Sequence, residues 1–280
     1  MRTKATLFFL AVLAVIAGVT VAVWRGAGPL ADPEGCSATV NGGQVSLDPE
    51  QGQNAALIAA IASRRGLPAR AVTIALATAF QESKIRNLNG GDRDSLGIFQ
   101  QRTSQGWGTP AQILNPYYAT NKFYAALEQI GNYQTLQITE AAQQVQHSGF
   151  PEAYAAHEPD ARVLASALTG YSTGGAFSCV VHSTQERGTA LNVETSLTKA
   201  FGHLNVARGS RQDLVLPVTN DAAGARRGWS LAQYLVAYAG PLKIRSVSFD
   251  SRIWQVGSTS EQGWTPSPSA RSDQVLVSLG

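Results

Sequence analysis

The 280-residue chain is poor in charge, in cysteine and in metal-binding side chains: charged residues make up 15%, with two cysteines and four histidines. His147, His157, His182 and His203 show no His-x-x-x-His spacing, and there is no Cys-x-x-Cys. A zinc site is therefore not expected, nor is any other cofactor, since a phosphate-cradling glycine loop is also missing. No convincing nucleophile elbow occurs, and no internal repeat or long low-complexity run. Basic residues form no stripe interleaved with aromatics, so a nucleic-acid partner is not expected. The net charge of +3 is unevenly spread. Residues 1–25 hold three cations and no acid, residues 26–184 nine cations against twelve acids, and residues 185–280 ten against seven. A hydrophobic content of 44% excludes wholesale disorder.

What is present begins with a long apolar run. Ala5–Trp24 is twenty residues without a charge, the length that crosses a bilayer core of about 30 Å as a helix. Arg2 and Lys4 precede it, which predicts a cytoplasmic N-terminus and export of the remainder. Arg25 weakens that asymmetry without reversing it. A cleaved signal peptide, cut after Ala27 or Ala31, is the competing reading. Its apolar stretch is normally about 7–15 residues, so a retained single-pass membrane anchor over 1–25 is preferred. In an oxidising compartment the isolated pair Cys36 and Cys179 is expected to form a disulfide.

The exported part is expected to be α+β: a mainly α domain over 50–182, then a small α+β domain over 188–280. Residues 26–49, rich in Gly, Pro and Asp, read as a stalk. Ala55–Arg65 is helical and stops at Gly66-Leu67-Pro68, and Ala69–Ser83 is a second helix. Asn87–Gly91 is a turn cluster. Asn115-Pro116 opens a helix to about Gly131, Thr139-Glu140 another, and Pro159-Asp160 a last one ending near Gly170. Beyond a polar linker at 183–189, Leu214–Val218, Val247–Phe249 and Gln274–Leu279 have strand character, and Trp229–Ala239 is an amphipathic helix.

Glu82 sits in the last turn of the second helix. There the negative end of the macrodipole, together with the apolar neighbours Ala79 and Phe80, favours a protonated carboxyl. A carboxylic acid held protonated near neutral pH is what cleavage of a glycosidic bond asks of its general acid. On these arguments alone a solvent-exposed helix-end glutamate would be the simpler reading. The surrounding motifs add to them. Gln81-Glu82-Ser83, followed by Ser95-Leu96-Gly97-Ile98-Phe99-Gln100, resembles the Glu-Ser and Gly-Leu-Met-Gln motifs of lytic transglycosylases and goose-type lysozymes. Gly91-Asp92-Arg93 is similar to the goose-type proteins in particular. Leu96–Gly108, with Val145–Ser148, Phe150-Pro151 and Tyr154, resembles exported lysozyme-like wall proteins of actinobacteria. The likeness covers roughly 50–180.

The resemblance implies a lysozyme-like fold with Glu82 as catalytic acid. It implies a substrate-binding set of Ser95, Gly97, Gln100, Gln146 and Tyr154, in which Gly97 lets backbone approach the sugar and Gln100 donates to an N-acetyl or hydroxyl group. Trp107, Tyr117 and Tyr118 are candidates for stacking on sugar, although aromatics of this kind more often belong to a core. The goose-type proteins carry a further Asp after Gly-Leu-Met-Gln; here Gln101-Arg102 stands in that place. Asp92 and Asp94 remain, in a run that also suits a plain turn, and the change favours a single-Glu mechanism. The Tyr-Asn-Ala-Gly motif is split between Val145–Ser148 and Tyr171–Gly174, each resembling part of it. Arg227–Ala237, Ile244–Val247 and Arg252–Trp254 resemble small zinc-peptidase-like domains. The ligand histidines of those domains are replaced by the Gly209–Asp213 run, Gln274 and Leu276. The expectation is a membrane-anchored protein that cleaves the β-1,4 link of peptidoglycan glycan strands. The alternative is a non-catalytic wall-binding or scaffold protein.

Overall fold

The computed structural model describes residues 32–147, 152–182, 186–209 and 213–279. Ala5–Trp24 lies outside them, and the membrane-anchor expectation with it. Among the described residues no helix is long and apolar enough to cross a membrane.

The fold is α+β. It opens with a correction, because the segment expected to be a stalk contains a β-hairpin. Strands β1 (Gly35–Val40) and β2 (Gly43–Leu47) pair antiparallel across a turn at Asn41-Gly42. Their inward residues Cys36, Ala38, Val45 and Leu47 are buried. Asp48 then caps helix α1 (Pro49–Arg64), its carboxylate accepting from the Gln51 N–H at 3.0 Å while Gln51 Oε1 accepts from the Asp48 N–H at 2.9 Å. That capping box, with Pro49 at the first helical position, starts the helix before the apolar pattern becomes visible.

Helix α2 (Ala69–Ser83) has the expected span. It ends in two left-handed residues, Lys84 and Ile85, whose N–H groups donate back to Phe80 O and Ala79 O. This closure satisfies the last carbonyls, and Ile85 is buried as its apolar plug. Helices α3 (Pro116–Leu127), α4 (Ile138–Gln146) and α5 (Glu158–Leu168) follow, with a 3-10 turn over Ala153–His157. Strand β3 (Ser95–Leu96) pairs with β4 (Gln101–Arg102) as a small arm after α2.

Strand β5 (Phe177–Val180) returns to β1, giving a sheet in the order β2-β1-β5. Cys36 lies directly opposite Cys179 and the two form a disulfide. Helix α6 (Ala190–Phe201), not foreseen from the sequence, packs on α1. Strands β6 (Ala207–Arg208) and β7 (Leu214–Pro217) and helix α7 (Ala222–Ala237) come next. They are followed by β8 (Ser246–Phe249), β9 (Arg252–Gln255), β10 (Thr265–Pro266) and β11 (Gln274–Ser278). These strands form an antiparallel sheet in the order β10-β9-β8-β11-β7-β6.

The two halves share one continuous core running from Cys36 to Leu279. Helix α7 packs across α1 and α5, Arg227 donates to Ser63 Oγ at 2.8 Å, and Arg64 donates to Lys199 O at 3.1 Å. The outer carbonyls of β5 are met from the C-terminal half. Trp264 Nε1 donates to Phe177 O and Trp254 Nε1 to Cys179 O, both at 2.9 Å, and the Gly257 N–H donates to Val181 O at 2.8 Å.

Candidate active site

Helix α2 is buried from Ala71 to Ala79, so it runs through the middle of the helical half and reaches the surface at its two ends. Glu82 is in its last turn, half-buried. The Tyr154 hydroxyl donates to Glu82 Oε1 at 2.7 Å, and Gln146 also hydrogen-bonds the carboxyl. Burial raises the Glu82 pKa above the ordinary carboxyl value, and the bonds from Tyr154 and Gln146 offset only part of the rise. The result is an acid that holds its proton to higher pH than an exposed glutamate.

The flanking segments are tied to this turn by backbone contacts. Ser83, buried beside Glu82, donates through Oγ to Ile98 O at 2.6 Å, fixing the Glu-Ser step against the Gly-Ile-Phe-Gln segment. Such a buried bond is worth about 1 kcal/mol net and more if one partner is orphaned. Gln146 Nε2 donates to Phe99 O at 2.7 Å, so one amide joins α4, the 97–100 loop and Glu82. Asn54, buried on α1, donates to Ile85 O at 2.8 Å and pins the segment after Glu82. Lys84, Ile85, Gln100 and His147 all have positive φ without being glycine. Strained backbone gathered in the segments around one carboxyl is a feature of sites held by their surroundings.

The expected substrate set divides on this geometry. Gln146 and Tyr154 meet Glu82, but Tyr154 is fully buried, so it positions the carboxyl from beneath instead of lining a groove. Ser95 is buried within the β3 arm. Gly97 is needed by the fold: its φ is 75°, and a Cβ there would stand 2.8 Å from Ile113 O. Close approach of the backbone at Ile113 by itself requires a glycine there. Gln100 is half-buried and donates to Gly97 O at 3.2 Å, closing its own loop. Trp107 and Tyr117 pack against the core, and the Tyr118 hydroxyl donates to Trp107 O at 3.1 Å.

Of the two nearby aspartates, Asp94 accepts from the Ser104 N–H at 2.8 Å, from Ser104 Oγ at 3.0 Å and from Arg102 Nε at 2.8 Å. Those bonds, Ser104's first, hold its carboxyl far below the usual range. The Asp92 side chain is 90% exposed.

One residue near the acid escaped the sequence reading. His157 Nε2 lies 3.1 Å from Gln81 Oε1, and its ring stacks on Phe80 at 5.6 Å. Burial lowers its pKa, which favours the neutral ring beside this turn. The only signal for it was a histidine three residues after Tyr154. Among the described residues no three His, Cys, Asp or Glu side chains are grouped as a metal site requires. No family model matches the chain, and no curated protein matches it.

Proposed function

We propose that the protein cuts peptidoglycan glycan strands at the β-1,4 link between N-acetylmuramic acid and N-acetylglucosamine, with Glu82 as the single catalytic carboxyl. In this reading it is exported and held to the membrane by residues 5–24. The observation that carries it is the half-buried Glu82, its pKa raised by burial, with the buried Tyr154 hydroxyl 2.7 Å from Oε1.

Protonated Glu82 gives its proton to the glycosidic oxygen as the C1–O bond breaks, and the N-acetyl carbonyl oxygen of the same sugar closes on C1. The attacking hydroxyl then bonds to C1 as the bond from C1 to the N-acetyl oxygen breaks and the N-acetyl group is restored, and the Glu82 carboxylate takes the hydroxyl's proton. If that hydroxyl is the sugar's own C6–OH, the product is a 1,6-anhydro sugar. If it is water, the product is a reducing end. The engagement of Asp94 by Arg102 and Ser104 supports the single-carboxyl form, because its oxygens are already committed to holding the β4 arm and the turn after it.

Zymography of the full chain on purified cell wall, beside Glu82→Gln, tests the proposal. Clearing by the wild type, reduced about 100-fold or more in the variant, is the expected outcome. No clearing by either protein would leave the wall-binding or scaffold reading in its place.

A further inference from the structure

Residues Tyr171–Gly174, which resembled part of the split Tyr-Asn-Ala-Gly motif, stand away from Glu82. Ser172, Thr173 and Gly174 border a cavity of about 380 Å³ that shares Val40 and Asn41 with a second cavity of about 450 Å³, which Tyr171 borders. The second is lined at the opposite end of α2 from Glu82, by Ala69, Arg70 and Thr73. Arg70 and Glu82 are twelve residues apart on one helix, about 18 Å along its axis. We propose that these joined cavities form a second saccharide-binding site, for a sugar ring that carries an acidic substituent.

The platform is Tyr171. Its side chain is the second most exposed large apolar group among the described residues, at 62%, yet it is held in place. The Arg226 guanidinium lies over its ring at 5.4 Å. The Ser172 N–H donates to Ser166 O at 3.0 Å, and the two serine hydroxyls meet at 2.9 Å. Gly170 and Gly175 allow the clamp: a Cβ on the first would lie 2.1 Å from Arg226 O, and on the second 2.3 Å from the Trp264 ring. An aromatic ring exposed on one side and supported from behind presents a flat apolar surface at little ordering cost, which suits the C–H face of a pyranose.

The rest of the lining matches the remainder of such a ligand. Asn41, Thr39, Thr73 and the loop hydroxyls offer hydrogen bonds to sugar hydroxyls. Among the described residues, the charged side chains bordering the two cavities are Arg70 and Arg162, and no carboxylate borders either. Arg162 is bonded to Glu158 one turn earlier through Nε and Nη2. The site thus keeps a positive balance, which selects a carboxylate- or phosphate-bearing saccharide over a neutral one. The clamp comes from the C-terminal half through Arg226 and Trp264, which gives that half a binding role that needs no metal.

Binding isotherms of the full chain test this in a Glu82→Gln background, so that no glycan is consumed. The probes are purified sacculi, sacculi stripped of phosphodiester polymers by hydrofluoric acid, and neutral chitin. Tyr171→Ala and Arg162→Ala are each expected to weaken binding to intact sacculi by about tenfold, with an unchanged melting temperature. Chitin binding should respond to Tyr171→Ala alone. Retention on stripped sacculi assigns the acidic group to the carboxylates of peptidoglycan, and loss assigns it to phosphodiesters. Sacculus binding by both variants equal to that of the parent protein overturns the proposal, whatever the zymogram shows for Glu82.

Discussion

Removing the Cys36–Cys179 bridge is the perturbation whose size the structure fixes best. The two cysteines are 143 residues apart in sequence and face each other on adjacent antiparallel strands. In the chain-entropy account, closing a loop of that length restricts the unfolded chain by about 5 kcal/mol. Both side chains are buried, at 6% and 3% exposure, so replacement by alanine adds a packing loss. Residual compactness of the unfolded ensemble acts in the opposite direction. For a protein of this size each kcal/mol moves Tm by about 2–4 °C. The double variant Cys36→Ala/Cys179→Ala should therefore melt about 10–20 °C below the wild type in calorimetry. Reductant should bring the wild type down to nearly the same point and leave the variant unmoved. A drop under about 3 °C, or a variant that still responds to reductant, would refute the reasoning.

Four further outcomes concern the carboxylates and the donor to one of them. Because the Glu82 pKa is raised in the folded protein, its ionisation works against folding: the stability present at low pH is lost as pH rises through the folded value. Glu82→Gln should raise Tm at about pH 7–8 and change it little near pH 4. Tyr154→Phe removes a donor that favours the carboxylate, so the alkaline limb of the pH–rate profile should move to higher pH; a shift downward would contradict the assigned geometry. Asp94→Asn should speed hydrogen exchange at the Ser104 N–H while leaving cutting within about twofold, and Asp92→Asn should change neither. The Asp94 contacts are complete above the ordinary aspartate range and fade as pH falls through its depressed value. Asp92→Asn as damaging as Glu82→Gln would point to two-carboxylate hydrolysis.

Where the sequence was readable, local signals sufficed. Helix α2 kept its expected ends because Gly66-Leu67-Pro68 stops the preceding helix and the apolar spacing runs unbroken to Phe80. β7, β8 and β11 also fell where branched and aromatic residues alternate. The hairpin at 35–47 was hidden because half of its reason to exist, strand β5, lies about 140 residues downstream. Its glycines and polar residues read as a stalk until that partner is supplied. α6 carried a usable sign in Val193, Leu197 and Phe201 behind the Thr189 cap. The Tyr154–Glu82 bond joins residues 72 apart, and no periodicity encodes such a contact. The structural demand on Gly97 is hidden for the same reason: the backbone it admits, at Ile113, is distant in sequence.

The capping of β5 bears on how a chain made from its N-terminus assembles. Phe177, Cys179 and Val181 turn their carbonyls away from β1, and the groups that satisfy them sit at Trp264, Trp254 and Gly257. Until those residues have emerged, a finished three-stranded sheet exposes an open edge, the kind of surface that recruits a stray strand. Two indole N–H groups and the single backbone N–H of Gly257 close it without adding a strand, so the seal leaves no new edge behind. A chain truncated before Trp254 would keep its disulfide and its candidate acid, and would carry an unsealed sheet into every encounter with its own copies.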